Sequence, residues 1–308
     1  MEAKKLKPNT DPVTTPVSQT ASPSPRHLLS DRMEILRYTL PNLFKRTVAI
    51  SQRGQLWLEI LRREGIVGIT EDEFIQVAEN LEKDYFSRLE GKTNTNLSAE
   101  ELGKPGLFVR DTNDQLFRDY GASALCEISF REPALAPFLF HSDLTGLCYN
   151  YYHRQPYYRN QPVLQRLEFQ SGQNDQEAGA FHVDRLHQIS FMLLVSDVTE
   201  KDTHMEYALR THNRAMWKHG IGMNPEEAKL LAKRGEVLKC IGEKGMLYIF
   251  DASGIHRRCL IPGSARKILH CNVTTGHHLK EFVDRRGGWT GLANQPKHIR
   301  RMFDKLKP

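Results

Sequence analysis

The chain has 308 residues, of which 39% are hydrophobic and 26% are charged, and its net charge is +6. This length and composition suit a large domain with a substantial core, and they exclude a chain that is disordered throughout. No apolar run of about eighteen residues occurs, and the first residues lack the apolar segment of a secretory signal, so the sequence predicts neither a membrane span nor export.

Five cysteines are scattered along the chain without Cys-x-x-Cys spacing: Cys126, Cys148, Cys240, Cys259 and Cys271. This spacing argues against a disulfide framework and against a zinc site, and it is typical of a protein in the reducing cytoplasm. Part of the basic excess lies near the C-terminus. No nucleic-acid-binding module accompanies it, so we interpret it as a solvated face rather than a nucleic-acid interface.

The N-terminal part of the chain predicts a tail followed by helices. Residues 1–29 are rich in Pro, Ser and Thr, which predicts a flexible tail, and residues 30–308 then form a single domain. Apolar residues at helical spacing predict one helix from about residue 31 and a second over 51–63. Thr70 and Glu73 form a capping-box pattern, which predicts a third helix to about Leu89, and the pattern recurs at 98–101.

Short apolar or alternating segments dominate the rest of the chain and predict strands. They lie at 107–110, 125–130, 165–169, 188–195, 205–209, 245–250, 255–261 and 265–274. Helices are predicted at 132–149 and 296–306, and residues 213–242 are predicted to form a helical insertion. Many short strands with flanking helices predict a mainly β fold, a jelly roll of two antiparallel sheets.

The last two strands flank a Pro262-Gly263-Ser264 turn, which predicts an antiparallel hairpin. If Ile261 pairs with Ala265, then His256, Arg266 and His270 share one face. This register also directs Arg258 inward.

Candidate metal ligands lie two residues apart in Phe181-His182-Val183-Asp184. On a strand, His182 and Asp184 point to the same face, and a distant histidine, His256, could complete the set. Two His and one carboxylate with open opposite positions are the ligands of non-haem iron(II) oxygenases. Arg266 follows ten residues after His256 and carries the planar fork that binds carboxylates. His270 is the alternative third histidine.

The order His182, Asp184, His256, Arg266 resembles the iron(II)/2-oxoglutarate-dependent dioxygenases, in particular their phytanoyl-CoA hydroxylase-like branch. The resemblance covers roughly residues 125–276 and favours His256 over His270, because the arginine follows at the family's distance. It implies a double-stranded β-helix of the cupin-like type. It also implies that the three ligands hold Fe(II), and that Arg266 binds the distal carboxylate of the cosubstrate 2-oxoglutarate. With O2, such enzymes hydroxylate, desaturate or cyclise a small molecule and release succinate and CO2.

Two alternatives stay open at the level of sequence: a cupin-type metal enzyme that needs no 2-oxoglutarate, and a non-enzymatic jelly-roll binding module. Arg266 favours the oxygenase over the cupin, and the intact ligand set disfavours the binding module. Arg258, Arg159 and Arg166 are candidate substrate-binding residues, which predicts an anionic substrate such as a carboxylate-bearing metabolite. The sequence does not determine the oligomeric state.

Overall fold

Two antiparallel β-sheets and five α-helices make up the part of the chain that the computed structural model describes. The described residues are 47–86, 107–109, 122–128, 132–159, 162–168, 179–184, 188–212, 229, 232–233, 235–275 and 294–303. The helices are α1 (Gln52–Glu64), α2 (Asp72–Leu81), α3 (Ala136–Leu139), α4 (Ser142–Tyr152) and α5 (Lys297–Met302). A π-turn (Glu82–Phe86) follows α2, and a 3-10 turn (Pro133–Leu135) precedes α3.

The strands divide into a major sheet of eight and a minor sheet of three. They are β1 (Ile66–Ile69), β2 (Leu107–Val109), β3 (Ala122–Ile128), β4 (Tyr157–Tyr158), β5 (Val163–Glu168), β6 (Gln188–Leu194), β7 (His204–Ala208), β8 (Val237–Cys240), β9 (Leu247–Asp251), β10 (His256–Cys259) and β11 (Ala265–Thr274). The major sheet has the order β1-β9-β6-β11-β5-β3-β2, with β4 paired to β11, and the minor sheet has the order β10-β7-β8. The predicted jelly roll with flanking helices is confirmed.

Strand β6 shows how the major sheet separates two cores, because all seven of its residues are buried. Successive side chains of a strand point to opposite faces. Phe191 and Leu193 therefore pack with the helices in one cluster, whereas Met192 and Leu194 pack toward the minor sheet in the other. We call these the helix side and the inner side of the major sheet.

Helix α1 is predicted correctly and its ends have clear physical causes. The Ser51 hydroxyl accepts a hydrogen bond from the Gly54 amide at 3.1 Å, as an N-cap residue does. Gly65 ends the helix in the left-handed conformation (φ 85°), and a β-carbon there would lie 2.5 Å from Nδ1 of His212. The chain then enters β1 at the edge of the major sheet.

The predicted hairpin of residues 255–261 with 265–274 is wrong. Strand β10 pairs with β7 in the minor sheet, whereas β11 pairs with β5 and β6 in the major sheet. The turn carries the chain from one sheet to the other, and the Ser264 hydroxyl accepts from the Thr203 amide at 2.7 Å. Turn residues specify a change of direction, but the strand partner is chosen by burial on both sheets.

Two helix predictions also differ in detail. Helix α2 begins after Glu71 without a side-chain cap, and the Thr70 hydroxyl donates to Sδ of Met246 instead of forming the capping box. The helix expected over 132–149 is interrupted between Leu139 and Ser142.

Several predicted segments lie outside the described residues. These are the tail at 1–29, the first helix from about residue 31, the helix at 98–101 and most of the insertion at 213–242, whose last residues form β8. In the part of the chain that is described, no helix combines the length and apolar character that a bilayer span requires.

Candidate metal centre

The backbone brings the two predicted halves of the metal site together. The His182 amide donates to the His256 carbonyl at 2.9 Å, and the His256 amide donates back at 3.0 Å. This isolated antiparallel bridge joins residues far apart in sequence. The Asp184 amide donates to the Ala252 carbonyl at 2.9 Å, so a main-chain hydrogen bond also holds the third candidate ligand. Both candidate histidines are therefore positioned by main-chain hydrogen bonds.

The three side chains converge on one point. Asp184 places Oδ1 3.7 Å from Nε2 of His182 and Oδ2 3.5 Å from Nε2 of His256. The three ligand atoms lie within 4.8 Å of one another, and the set is one of two such groups among the described residues that could hold a metal ion. His256 is buried, whereas the side chains of His182 and Asp184 are 42% and 44% exposed, so the site is accessible from one side.

Each imidazole has its tautomer set by a carbonyl group two residues earlier. Nδ1 of His182 lies 2.9 Å from the Ala180 oxygen, and Nδ1 of His256 lies 2.9 Å from the Gly254 oxygen. A carbonyl can only accept, so each Nδ1 carries the proton and each Nε2 presents its lone pair toward Asp184. This is the arrangement that metal-binding histidines usually have.

The electrostatics favour the ligand protonation states of Asp184 and His182. Burial by itself raises the pKa of Asp184, but the contact with His256 and the charges of the two imidazoles outweigh it and hold this pKa well below its usual value. Burial, and then the charge of His256, lower the pKa of His182. For His256, burial acts to lower the pKa, and the contact with Asp184 raises it overall. The carboxylate is thus ionised and the His182 imidazole neutral near pH 7.

A turn that sequence reasoning missed supports His256. Oδ1 of Asp251 accepts from the Ser253 amide (2.8 Å) and hydroxyl (2.7 Å), and Oδ2 accepts from the Tyr151 hydroxyl at 2.7 Å. The Tyr207 hydroxyl donates to the Asp251 carbonyl at 2.9 Å. An Asp two residues before a Ser, followed by Gly, is an Asx-turn signal that could have identified this support.

Arg266 lies on the inner side of the major sheet and is 3% exposed. Its Nη1 lies 3.8 Å from Sδ of Met192, and its Nε has no hydrogen-bond partner among the residues that the structure describes. Burial, followed by the charge of Arg258, lowers the pKa of Arg266 to about 9. A buried guanidinium without an anionic partner is costly, so this position suits a bound carboxylate.

The other predicted residues occupy different places. His270 shares the inner side with Arg266, and burial, opposed by the charge of Asp184, lowers its pKa to about 4. His270 is not part of the convergent ligand group. Arg258 lies two residues after His256 on β10 and pairs with Met205 of the inner core, so it faces the same interior.

Arg159 and Arg166 both lie against the major sheet, at different places. Nη1 of Arg159 donates to Oε1 of the buried Gln188 at 2.6 Å, at the start of β6. Arg166 pairs with Lys267, the residue after Arg266, and therefore lies on the helix side of the major sheet. The structure thus groups His182, Asp184 and His256 and places Arg166 on the opposite side of the sheet.

Comparison with solved structures finds several similar proteins. EctD from S. alaskensis with bound Fe is 15% identical, with a TM-score of 0.50 over 81% of this chain and 88% of that chain. AviO1 from Streptomyces viridochromogenes Tue57 is 13% identical over 76% of this chain and 100% of its own, at a TM-score of 0.46. SnoN is described as a non-heme alpha-ketoglutarate-dependent epimerase from nogalamycin biosynthesis. It is 10% identical over 77% of this chain and 91% of its own, at a TM-score of 0.45.

No protein-family model matches this sequence, and comparison with curated proteins finds no match. The likeness to EctD therefore shows the fold, a double-stranded β-helix, and the function must be argued from the site.

Substitution of Gly254 tests whether the turn before His256 positions this ligand. A β-carbon there would lie 1.8 Å from the Tyr207 hydroxyl, so Gly254→Ala displaces either Tyr207 or the turn that carries the His256 acceptor carbonyl. We expect Co(II) affinity to fall at least about tenfold, as when the supporting partners of metal ligands are lost. Titration calorimetry measures this. Gly235→Ala is the control, because among the described residues its β-carbon would meet only the Leu209 carbonyl, at 3.6 Å. Equal affinity in both variants would contradict the positioning role.

Proposed function

We propose that the protein is a non-haem iron(II)- and 2-oxoglutarate-dependent oxygenase that oxidises a small molecule. One observation carries the proposal: a convergent His182–Asp184–His256 ligand set shares the interior of the double-stranded β-helix with the buried Arg266. Two imidazoles and one carboxylate with an open side suit iron(II). The chain order of these residues supports the phytanoyl-CoA hydroxylase-like branch in particular.

The residues present fit both implied groups. The metal donors are two nitrogens with preset tautomers and one ionised carboxylate, which suits iron(II). The fit to 2-oxoglutarate rests on Arg266, whose Nε is buried without a partner in the described part of the chain. EctD supports the metal assignment, because its structure holds Fe on the same fold.

Each residue then has a defined task. Iron(II), 2-oxoglutarate and O2, when bound, supply the oxidising chemistry and yield succinate and CO2. His182 and His256 would bind the metal through Nε2, and Asp184 would offset part of its charge. Arg266 would bind the distal carboxylate in two places and so orient the cosubstrate. The buried apolar residues Met192 and Phe250, on the inner side, exclude water from this interior.

Arg258 supports an anionic substrate, because it faces the interior two residues from His256. A guanidinium there would bind a carboxylate of the substrate through charge-assisted hydrogen bonds. We therefore propose a carboxylate-bearing metabolite or natural-product intermediate as the substrate. Cytoplasmic localisation and the lack of a nucleic-acid partner stay predictions from sequence.

The central experiment measures metal and cosubstrate dependence. Chelator-treated protein should form succinate from 2-oxoglutarate only after iron(II) is restored under O2, slowly even without substrate. Asp184→Ala should abolish this turnover, since one of three ligands is lost, whereas Glu200→Ala, an exposed surface change, should leave it intact. A cupin-type enzyme would bind the metal but form no succinate. Failure of the iron-loaded protein to form succinate with any of a panel of carboxylates and amino acids would rule out the oxygenase.

Arg266→Lys tests the cosubstrate assignment separately. The lysine keeps the charge but loses the planar fork, so the apparent KM for 2-oxoglutarate should rise at least about tenfold. Removing one partner of a buried charged pair commonly costs about 2–5 kcal/mol. Arg63→Lys, on the exposed surface of α1, is the matched control. If KM is unchanged in Arg266→Lys, another residue binds the distal carboxylate.

Arg258→Ala tests the charge of the substrate. For carboxylate-bearing compounds that stimulate 2-oxoglutarate consumption, the apparent KM should rise at least about tenfold in this variant, because a charge-assisted pair is removed. Their KM should also rise with ionic strength in the unmodified protein. Arg166→Ala, on the helix side of the sheet, should behave like the unmodified protein. Stimulation by neutral compounds alone would overturn the anionic assignment.

A further inference from the structure

A second cluster of potential metal ligands lies on the minor sheet, on the face of β10 that points away from His256. Cys259 pairs directly with His204 of β7, and Glu206 lies two residues along β7 on the same face. Nε2 of His204, a carboxylate oxygen of Glu206 and Sγ of Cys259 lie within 4.8 Å of one another.

His204 indicates that this cluster is built for an occupant. The side chain is 2% exposed, and its Nδ1 lies 2.7 Å from the Asp202 carbonyl, which fixes the proton on Nδ1. Nε2 therefore presents a lone pair inside the protein, yet it has no hydrogen-bond partner among the described residues. The nearest carboxylate oxygen, Oε1 of Glu206, is 3.8 Å away and cannot donate a proton when ionised. A buried acceptor without a partner is unfavourable and rare.

Among the described residues, the neighbours of Glu206 leave one carboxylate oxygen available to a ligand. Oε2 accepts from Nε of Arg257 at 2.6 Å, so Oε1 is the oxygen that faces His204. Arg257 offsets the charge of Glu206, so the cluster is close to neutral without a metal ion. Cys259 is half-buried, so an ion can reach the cluster from solvent on this side.

We propose that His204, Glu206 and Cys259 bind a divalent cation of the zinc class at a structural site separate from the His182 centre. Nitrogen, sulfur and oxygen donors suit Zn(II), which binds such atoms at about 2.0–2.3 Å. Because the three ligand atoms lie within 4.8 Å of one another, small side-chain rotations would bring all of them into contact with one ion. The thiolate distinguishes this site from the His182 centre, which contains no sulfur and suits iron(II).

The site would brace the strand that carries His256. A cation held by His204 and Glu206 on β7 and by Cys259 on β10 joins the two strands three residues from the metal ligand His256. Arg257 extends the connection, because its guanidinium lies 4.4 Å from the ring centroid of Phe181, the residue before His182. Binding to the folded chain alone would also raise its melting temperature in the presence of Zn(II).

Co(II) titration of the full-length, chelator-treated protein tests the proposal, because Co(II) bound to a thiolate has a characteristic near-ultraviolet charge-transfer absorption. The unmodified protein should bind about two equivalents and show this band. Asp184→Ala should lose about one equivalent and keep the band, whereas Cys259→Ser should lose the band and keep about one equivalent. Cys240→Ala removes a different buried cysteine of the minor sheet and should keep the band.

Glu206→Gln provides a second variant that keeps the side-chain shape and should weaken Co(II) binding at this site at least about tenfold. Circular dichroism verifies that each variant is folded. A folded, unmodified protein that shows no thiolate band at saturating Co(II), or a band that persists in Cys259→Ser, would overturn the proposal. Because Asp184→Ala removes only the other site, neither result depends on the oxygenase assignment.

Discussion

The backbone bridge between His182 and His256 is the contact on which the candidate centre depends. Two amide-to-carbonyl hydrogen bonds, at 2.9 and 3.0 Å, fix the separation of chain segments more than seventy residues apart. Each imidazole is then oriented by a carbonyl two residues before it, so the same local geometry recurs on both segments. Asp184 completes the group because it lies two residues after His182 on the same face. The ligand geometry is therefore a property of the main chain, with few side-chain degrees of freedom left to order.

The two sheets contribute different functional side chains to the interior. The minor sheet contributes His256 and Arg258, whereas the major sheet contributes the buried Arg266 from the facing side. A dicarboxylate that reached from a metal ion on the minor-sheet side to Arg266 would thus pair with a buried guanidinium whose Nε has no partner among the described groups. Strand β10 also has a second face, where Cys259 meets His204, so one short strand takes part in both candidate metal sites.

The ligands of the first centre could be predicted from sequence because their spacing has a direct geometric meaning. Residues two apart in an extended segment share a face, which brings His182 and Asp184 together even though the structure has only an isolated bridge at His182 and no strand. Helix α1 was equally predictable, from the helical spacing of its apolar residues, and Ser51 and Gly65 supply the capping interactions at its ends. By contrast, the Asp251 turn and the His204–Glu206–Cys259 cluster were missed. The cluster joins two strands, and the expectation that no zinc site exists rested on spacing within a single segment.

What the sequence by itself determined was therefore local: the face of each strand, the ends of a helix and the order of the ligands along the chain. Only the tertiary structure decided which strands are partners. The turn at Pro262–Ser264 is compatible with a hairpin, yet β10 joins β7 and β11 joins β5 and β6. The same pairing places Arg166 on the helix side, and the strand that carries it is buried on both faces rather than half-buried. Alternation defines two faces, but which face is interior depends on the apolar surface that distant segments bring to it.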